Sequence, residues 1–283
     1  MNTLTARAAA ATVRACHRSD ASFVRRVRRR VERAVPRNTA GLTVSRAGIR
    51  VEIDLQDNLQ RELFFRGDYE RPLADLLRSR ARPGDVFVDV GANIGLHSIR
   101  LATATSLSRV VAFEAAPDTA DRLRRNLRLN CVEGIVEVAP TALGGREGSL
   151  PLRSSVRWGS GDLGVRSAFG DGDVVVDAPM TTFDAWWAAH GGGPVDLVKI
   201  DVEGAEFEVL TGMLETLRAS TSPRLVVVEV VEDFLRRAGT SPASIDRFMA
   251  DAGYRPSGPD AVTVAVGPTD DLWPNVLYER GDE

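Results

Sequence analysis

The sequence predicts an α/β fold whose mostly parallel sheet carries helices on both faces, and three observations lead there. Short apolar runs fall at about 86–90, 109–114, 135–139, 195–200 and 224–230. Windows with helical periodicity alternate with them, at about 95–105, 117–130, 204–218 and 241–252. The first run passes directly into a glycine turn and then a helix, the junction that opens a βαβ unit. Apolar strands alternating with amphipathic helices bury both faces of a parallel sheet.

A chain of 283 residues accommodates one large α/β domain. We divide it into a basic extension over residues 1–37 and a main domain over 38–283. Hydrophobic residues at 43% and charged residues at 27% are ordinary for a water-exposed globular body, and no apolar run approaches the roughly 18 residues of a membrane span. Cys16 and Cys131 lie far apart with no metal-ligand spacing, and no signal-peptide core precedes a cleavage site, so a reducing cytoplasm is expected.

The net charge of −3 hides an asymmetry. Residues 1–37 hold ten arginines against Asp20 and Glu32, so the extension is about +8 and the remainder about −11. An acidic body argues against nucleic acid as the substrate, because a duplex binder presents a basic face to phosphates. In the extension, Val24, Val27, Val31 and Ala34 recur at helical spacing among arginines, which predicts a basic amphipathic helix. Residues 21–35 then form a solvated helix or a contact for an anionic surface, and an organellar transit segment has the same composition.

Before the alternating region, residues 42–55 carry two β-prone pieces around Ala47-Gly48, and residues 69–80 read as a helix stopped by Arg-Pro-Gly. Between the third and fourth runs, the Gly-, Ser- and Asp-rich stretch 144–180 has strand-like pieces at 149–152 and 173–177. It is expected to be a hairpin insertion within one domain.

Two segments carry chemistry. In DVFVDVGANIG a strand enters Gly91-Ala92-Asn93-Ile94-Gly95, a turn where the backbone can pass close under a ligand and the helix amides face an anionic group. A tight turn with no ligand has the same pattern. Glu114, 23 residues after Gly91 at the end of the next strand, stands where an acid accepts hydrogen bonds from a ribose. Both a nicotinamide dinucleotide and S-adenosylmethionine have such a ribose. The dinucleotide fingerprint Gly-x-Gly-x-x-Gly is absent, and Asp89 two residues before Gly91 would repel a pyrophosphate but suits the ammonium of a methionine moiety.

In the second segment, PVDLVKIDVEGAEFEVLTGM, side chains alternate, so Val195, Leu197, Lys199 and Asp201 are expected on one strand face, with Glu203 and Glu206 following into a helix. These charges gather at the carboxyl edge of the sheet, where open α/β sheets bind ligands. Lys199 is the single lysine among 36 basic residues. A chain that otherwise uses arginine keeps lysine where a compact ammonium must reach a carboxylate; a purely structural ion pair has the same sequence.

VFVDVGANIG, FEAAP, TTFDAWW, VKIDVEGAEFEVLTG and LVVVEV, preceded by Tyr69-Glu70, resemble the FkbM methyltransferase family over about residues 65–255. KIDVEGAE is the most specific of these motifs. The resemblance implies a Rossmann-like class I fold with a seven-stranded sheet, S-adenosylmethionine as cofactor, and methylation of hydroxyls on natural products or sugars. It carries Asp89, Gly91, Asn93 and Gly95 to the cofactor loop and Glu114 to the ribose. Lys199, Asp201, Glu203 and Glu206 belong to its signature, with Tyr69 and Glu70 on the acceptor side. The sequence departs from the family after the fifth strand, where many relatives have a histidine and this chain has Val231 and Glu232. At Thr141, Ala142 and Leu143 it also lacks the acid that often binds adenine.

Methyl transfer from a sulfonium needs an aligned acceptor oxygen and a group to take its proton. Asp201 is the first choice for that base, Glu229 on the next strand the second, and His97, one turn into the first helix and read as a packing residue before a base, the third. Asp201 and Glu229 at adjacent strand tips would also suit a hard divalent cation, but two carboxylates without a third ligand make a thin case, and no resident metal is expected. The expected partner is a small-molecule hydroxyl acceptor. Trp158, Trp186, Trp187 and Trp273 are read as core packing before acceptor stacking. The competing functions are a degenerate binding protein on this fold and a nicotinamide-dependent oxidoreductase.

Overall fold

A computed structural model describes residues 11, 30, 34–35, 41–46, 48–154, 166–168, 172–221, 223–257, 262–266 and 271–281. Nearly all of the extension, and with it the amphipathic helix expected over 21–35, lies outside the described residues, as does Trp158.

Five parallel strands form the centre of the main sheet: β3 (Val86–Val90), β4 (Arg109–Phe113), β5 (Val136–Ala139), β10 (Leu197–Ile200) and β11 (Leu225–Glu229). Antiparallel β14 (Asp271–Arg280) joins β11, and its far edge is shared by β12 (Tyr254–Pro256) and β13 (Val262–Val266). The sheet is therefore seven positions wide, in the order β12-β14-β11-β10-β3-β4-β5. From β3 the chain steps outward through β4 to β5, then returns to β3's other side with β10. The order reverses between β3 and β10, and the loops there diverge to leave a crevice at the carboxyl edge.

Alternation sorts the central strands into two apolar layers. Phe87, Val110, Ala112, Leu197 and Val227 face one layer; Val88, Val90, Val111, Val198, Ile200 and Val228 face the other. The first layer is covered by β1 (Leu42–Arg46), β2 (Ile49–Ile53), α1 (Asn58–Arg66), α2 (Arg71–Arg80), α3 (Leu96–Ala104) and α4 (Pro117–Leu129). α5 (Phe183–Ala189), α6 (Glu206–Thr211), α7 (Leu214–Arg218), α8 (Glu232–Arg237) and α9 (Pro242–Asp251) cover the second. Asp89, Lys199 and Glu229 share the first layer's side of their strands with Phe87, Leu197 and Val227. Val195, expected on the Lys199 face, packs with the other layer because it precedes the strand proper.

The helix expected over 204–218 is two helices. A Cβ on Gly212 would lie 2.0 Å from the Gly144 carbonyl oxygen, so the chain can pass there only as glycine, and α6 stops. The pieces expected around 149–152 and 173–177 pair antiparallel as β7 (Gly148–Ser154) and β9 (Val174–Thr181), flanked by β8 (Arg166–Ser167) and β6 (Ala142–Leu143). Trp187 is buried against Phe183 and donates its indole N–H to the Gly193 carbonyl at 2.9 Å, while Trp186 stacks on His190 at 3.9 Å. No helix among the described residues is long and apolar enough to cross a membrane.

Candidate active site

The loop between β3 and α3 is fixed by its own packing. Gly91 has φ +78°, and a Cβ there would lie 1.8 Å from the Asp201 carbonyl oxygen; Gly95, at φ +89°, would collide with Leu123. The sequence reading gave Gly91 to ligand approach, but in the structure its close neighbour is the backbone that follows β10. Between these glycines Asn93 also adopts a left-handed φ of 51°, and its amide donates to Glu114 Oε2 at 2.9 Å. The Ala116 amide donates to Glu114 Oε1 at 2.9 Å. Two amides thus aim the Glu114 carboxylate at the tip of β4.

Across the sheet reversal, Asp89 and Lys199 are register partners on β3 and β10. Asp89, 1% exposed, accepts a hydrogen bond from the Ser98 hydroxyl at 2.6 Å, and its other oxygen lies 3.8 Å from Lys199 Nζ. Lys199 donates to Asp201 Oδ2 at 2.9 Å. Burial pulls the Lys199 ammonium down, yet the charges of Asp201, Asp89 and Glu70 outweigh it and hold the group above its ordinary value, so it stays protonated. The Lys199 and Asp89 side chains are sealed at 3% and 1% exposure, while Asp201 keeps 24%. Of the three, Asp201 is the most exposed.

Glu70 comes from the turn before α2, at a left-handed φ of 49°, and meets His97 on α3: the Nε2–Oε2 separation is 2.7 Å and both side chains are buried. Burial pushes the Glu70 carboxyl up, but the His97 hydrogen bond and the charges of His97 and Lys199 hold it below the ordinary range. Glu229 ends β11 at 2% exposure, and its Oε2 has no partner. Burial first, then Asp201 and Glu70, push its carboxyl well above the usual range. Tyr69 is buried beside them and its phenol is pushed up, first by burial and then by Glu70.

Beyond β10 the chain turns through Val202, Glu203 and Gly204. Glu206 closes this turn by accepting from the amides of Val202 at 3.2 Å and Gly204 at 3.0 Å, and burial pushes it up to about 7. Glu203, at φ 51°, is pushed up to about 8, again first by burial. Three of the four non-glycine residues with left-handed φ among the described residues are Glu70, Asn93 and Glu203, all at this crevice. Backbone strain of this kind gathers at functional sites.

The residues assigned to the cofactor loop, the ribose, the signature and the acceptor side therefore lie along the carboxyl edge of the β4-β3-β10-β11 row or in the loops that meet it. Sequence reasoning missed Ser98, the partner of Asp89, and Asn275, the cross-strand partner of Glu229, which is 1% exposed with an unpartnered Nδ2. His97, read as a packing residue before a base, is buried and braces Glu70. At the end of β11, Val231 caps α8 and Glu232 starts it, so this stretch supplies no histidine.

Residues 89–256 match the methyltransferase FkbM domain. The hexuronic acid methyltransferase AglP of Haloferax volcanii is 32% identical over 191 residues, spanning 65% of this chain and 69% of AglP. The 2-O-methyltransferase NoeI of Sinorhizobium fredii is 28% identical over 163 residues, or 52% of this chain and 64% of NoeI. The crystal structure of an FkbM methyltransferase from Methylobacillus flagellatus superposes with a TM-score of 0.48 at 14% identity, covering 77% of this chain and 52% of that one. The matched span runs from the glycine loop through β12 and so contains the crevice floor; it leaves the oxidoreductase reading without support. The chain belongs to the FkbM methyltransferase family, and its chemistry is methyl transfer.

Proposed function

We propose that this enzyme transfers the methyl group of S-adenosylmethionine to a hydroxyl oxygen of a small molecule, a sugar or a natural product. The observation that carries the reading is the division of the crevice into two rims around the Asp89–Lys199 pair. On the β3-β4 rim, a carboxylate aimed by two amides, Glu114, suits the ribose diol, and Asp89 suits the methionine ammonium directly or through water. The donor set fits a nucleoside with a cationic amino-acid tail. When bound, S-adenosylmethionine supplies an activated methyl whose carbon–sulfur electron pair stays on sulfur as the acceptor oxygen takes the carbon.

On the β10-β11 rim, Asp201 is the exposed carboxylate and takes the hydroxyl proton, while Lys199, 2.9 Å away, holds it ionised and oriented. Glu229 and the Glu70–His97 pair line the same side. A hydroxyl acceptor also accords with the names of the relatives, one acting on a hexuronic acid and one forming a 2-O-methyl group. The test is mass spectrometry of the purified chain with labelled S-adenosylmethionine and a panel of uronic acids, neutral sugars and hydroxylated polyketides. Gain of one labelled methyl on oxygen supports the reading, and transfer confined to nitrogen or carbon overturns it.

A further inference from the structure

Sequence reasoning set a metal aside because Asp201 and Glu229 lacked a third ligand, and the fold supplies it. Glu70, more than a hundred residues upstream, places a carboxylate oxygen so that oxygens of Glu70, Asp201 and Glu229 all lie within 4.8 Å of one another. Oxygens that share one hard cation sit at about 2.1 Å from magnesium or about 2.4 Å from calcium, so they can be no further apart than about 4.2 or 4.8 Å. The three carboxylates meet the wider of these bounds.

A further observation points to something between them. Glu229 is only 2% exposed, and its Oε2 is buried with no hydrogen-bond partner. Buried polar atoms are almost always paired, and this orphan acceptor oxygen marks a place where a ligand completes the shell. The Lys199 ammonium does not fill it: its ion-pair partners are Asp201 and Asp89, and neither Glu70 nor Glu229 lies within ion-pair distance. His97 braces Glu70 from behind, as the outer partners of metal-binding carboxylates do.

We propose that Glu70, Asp201 and Glu229 bind one divalent cation of the magnesium, manganese or calcium class on the acceptor rim. The donor set is all oxygen, which selects hard cations over zinc or copper. Its role as a clamp for the acceptor hydroxyl rests on the function proposed above; its existence does not.

The experiment strips the full chain with EDTA and titrates it with manganese, reading free manganese by electron paramagnetic resonance with no methyl donor or acceptor present. Wild type should take up one manganese ion per chain, displaced by excess magnesium or calcium. Glu229→Gln and Glu70→Gln should each weaken uptake tenfold or more, while Glu215→Gln, on an exposed helix, leaves it unchanged. Metal-free Glu229→Gln should melt no lower than wild type, since the amide keeps the shape of the buried carboxyl and adds no charge, so lost uptake there cannot be ascribed to unfolding. No saturable one-to-one uptake by wild type below millimolar manganese, or uptake that survives both substitutions, overturns the proposal. A wild-type chain that binds manganese but methylates no hydroxyl would sink the proposed function and leave the cation site standing.

Discussion

The two rims of the crevice are built by opposite means. On the β3-β4 rim, Glu114 is held by two backbone amides within 21 residues of itself, and the loop that supplies one of them is locked by glycines with no room for a side chain. On the β10-β11 rim, the carboxylates of Glu70, Asp201 and Glu229 come from three distant segments and crowd together with one buried oxygen left over. The first rim is preorganised by main chain and costs little to hold. The second concentrates like charge in a low-dielectric place, and a single ammonium offsets part of it.

Substitutions can break this contrast, and the largest effect is expected at Asp201. Asp201→Asn keeps the shape but cannot take a proton, so single-turnover methyl transfer should fall by about 100- to 10,000-fold while calorimetric affinity for S-adenosylmethionine stays within about twofold. A normal rate in the folded variant would hand the base role to Glu229. Lys199→Met should next cost about 3–5 kcal/mol in chemical denaturation, because it strands the buried Asp89 carboxylate without its cation. Adding Asp89→Asn to it should restore most of that loss. Equal stabilities of the single and double variants would mean that the pair is not coupled.

The pH dependence sharpens the comparison at the turn between the rims. The Glu206 carboxyl is raised by burial from 4.5 to about 7 in the folded chain, so the stability it contributes is fully present below about pH 4.5 and is lost as pH rises through about 7. Relative to Glu206→Gln, the wild type should lose roughly 2–4 kcal/mol across that window, read from urea midpoints at successive pH values. A constant difference would place the carboxyl at its ordinary value. The smallest effect is expected on the backbone-held rim: Glu114→Ala should weaken S-adenosylmethionine tenfold or more, about 1.5–3 kcal/mol for lost charged hydrogen bonds. Glu114→Gln, which keeps one acceptor for the loop amides, should fall between. Unchanged calorimetric affinity in both would remove Glu114 from the ribose.

Legibility followed the same division. The central strands were readable to within two residues because strands buried on both faces are apolar runs, and Glu114 was readable because its distance from Gly91 is a local property of one βαβ unit. β14 escaped notice: Asp271, Pro274, Asn275 and the charged residues that end it blur any period, and its pairing with β11, β12 and β13 makes it a strand. α1 was missed for its polarity, although Leu63, Phe64 and Phe65 are buried. The break between α6 and α7 depends on Gly144, 68 residues away, which periodicity cannot see. Glu70 entered through family resemblance, and nothing local announced that it would meet Asp201 and Glu229. Asn275 and Ser98 gave no signal at all, since an asparagine or serine acquires a role only from the neighbour that folding brings.

The solitary lysine has a practical consequence. Lys199 is the only lysine in the chain, its side chain is 3% exposed, and its ammonium is held by two carboxylates. Amine-reactive reagents therefore find no side chain to modify while the fold is intact. Once the sheet opens, one reactive amine appears, and each molecule that has unfolded carries one additional label. Intact-mass measurement after a brief pulse of acylating reagent would count the opened population molecule by molecule, without an engineered probe. A ligand that closes the crevice should slow that labelling in proportion to the opening it suppresses, which makes the native lysine a sensor for both cofactor and acceptor.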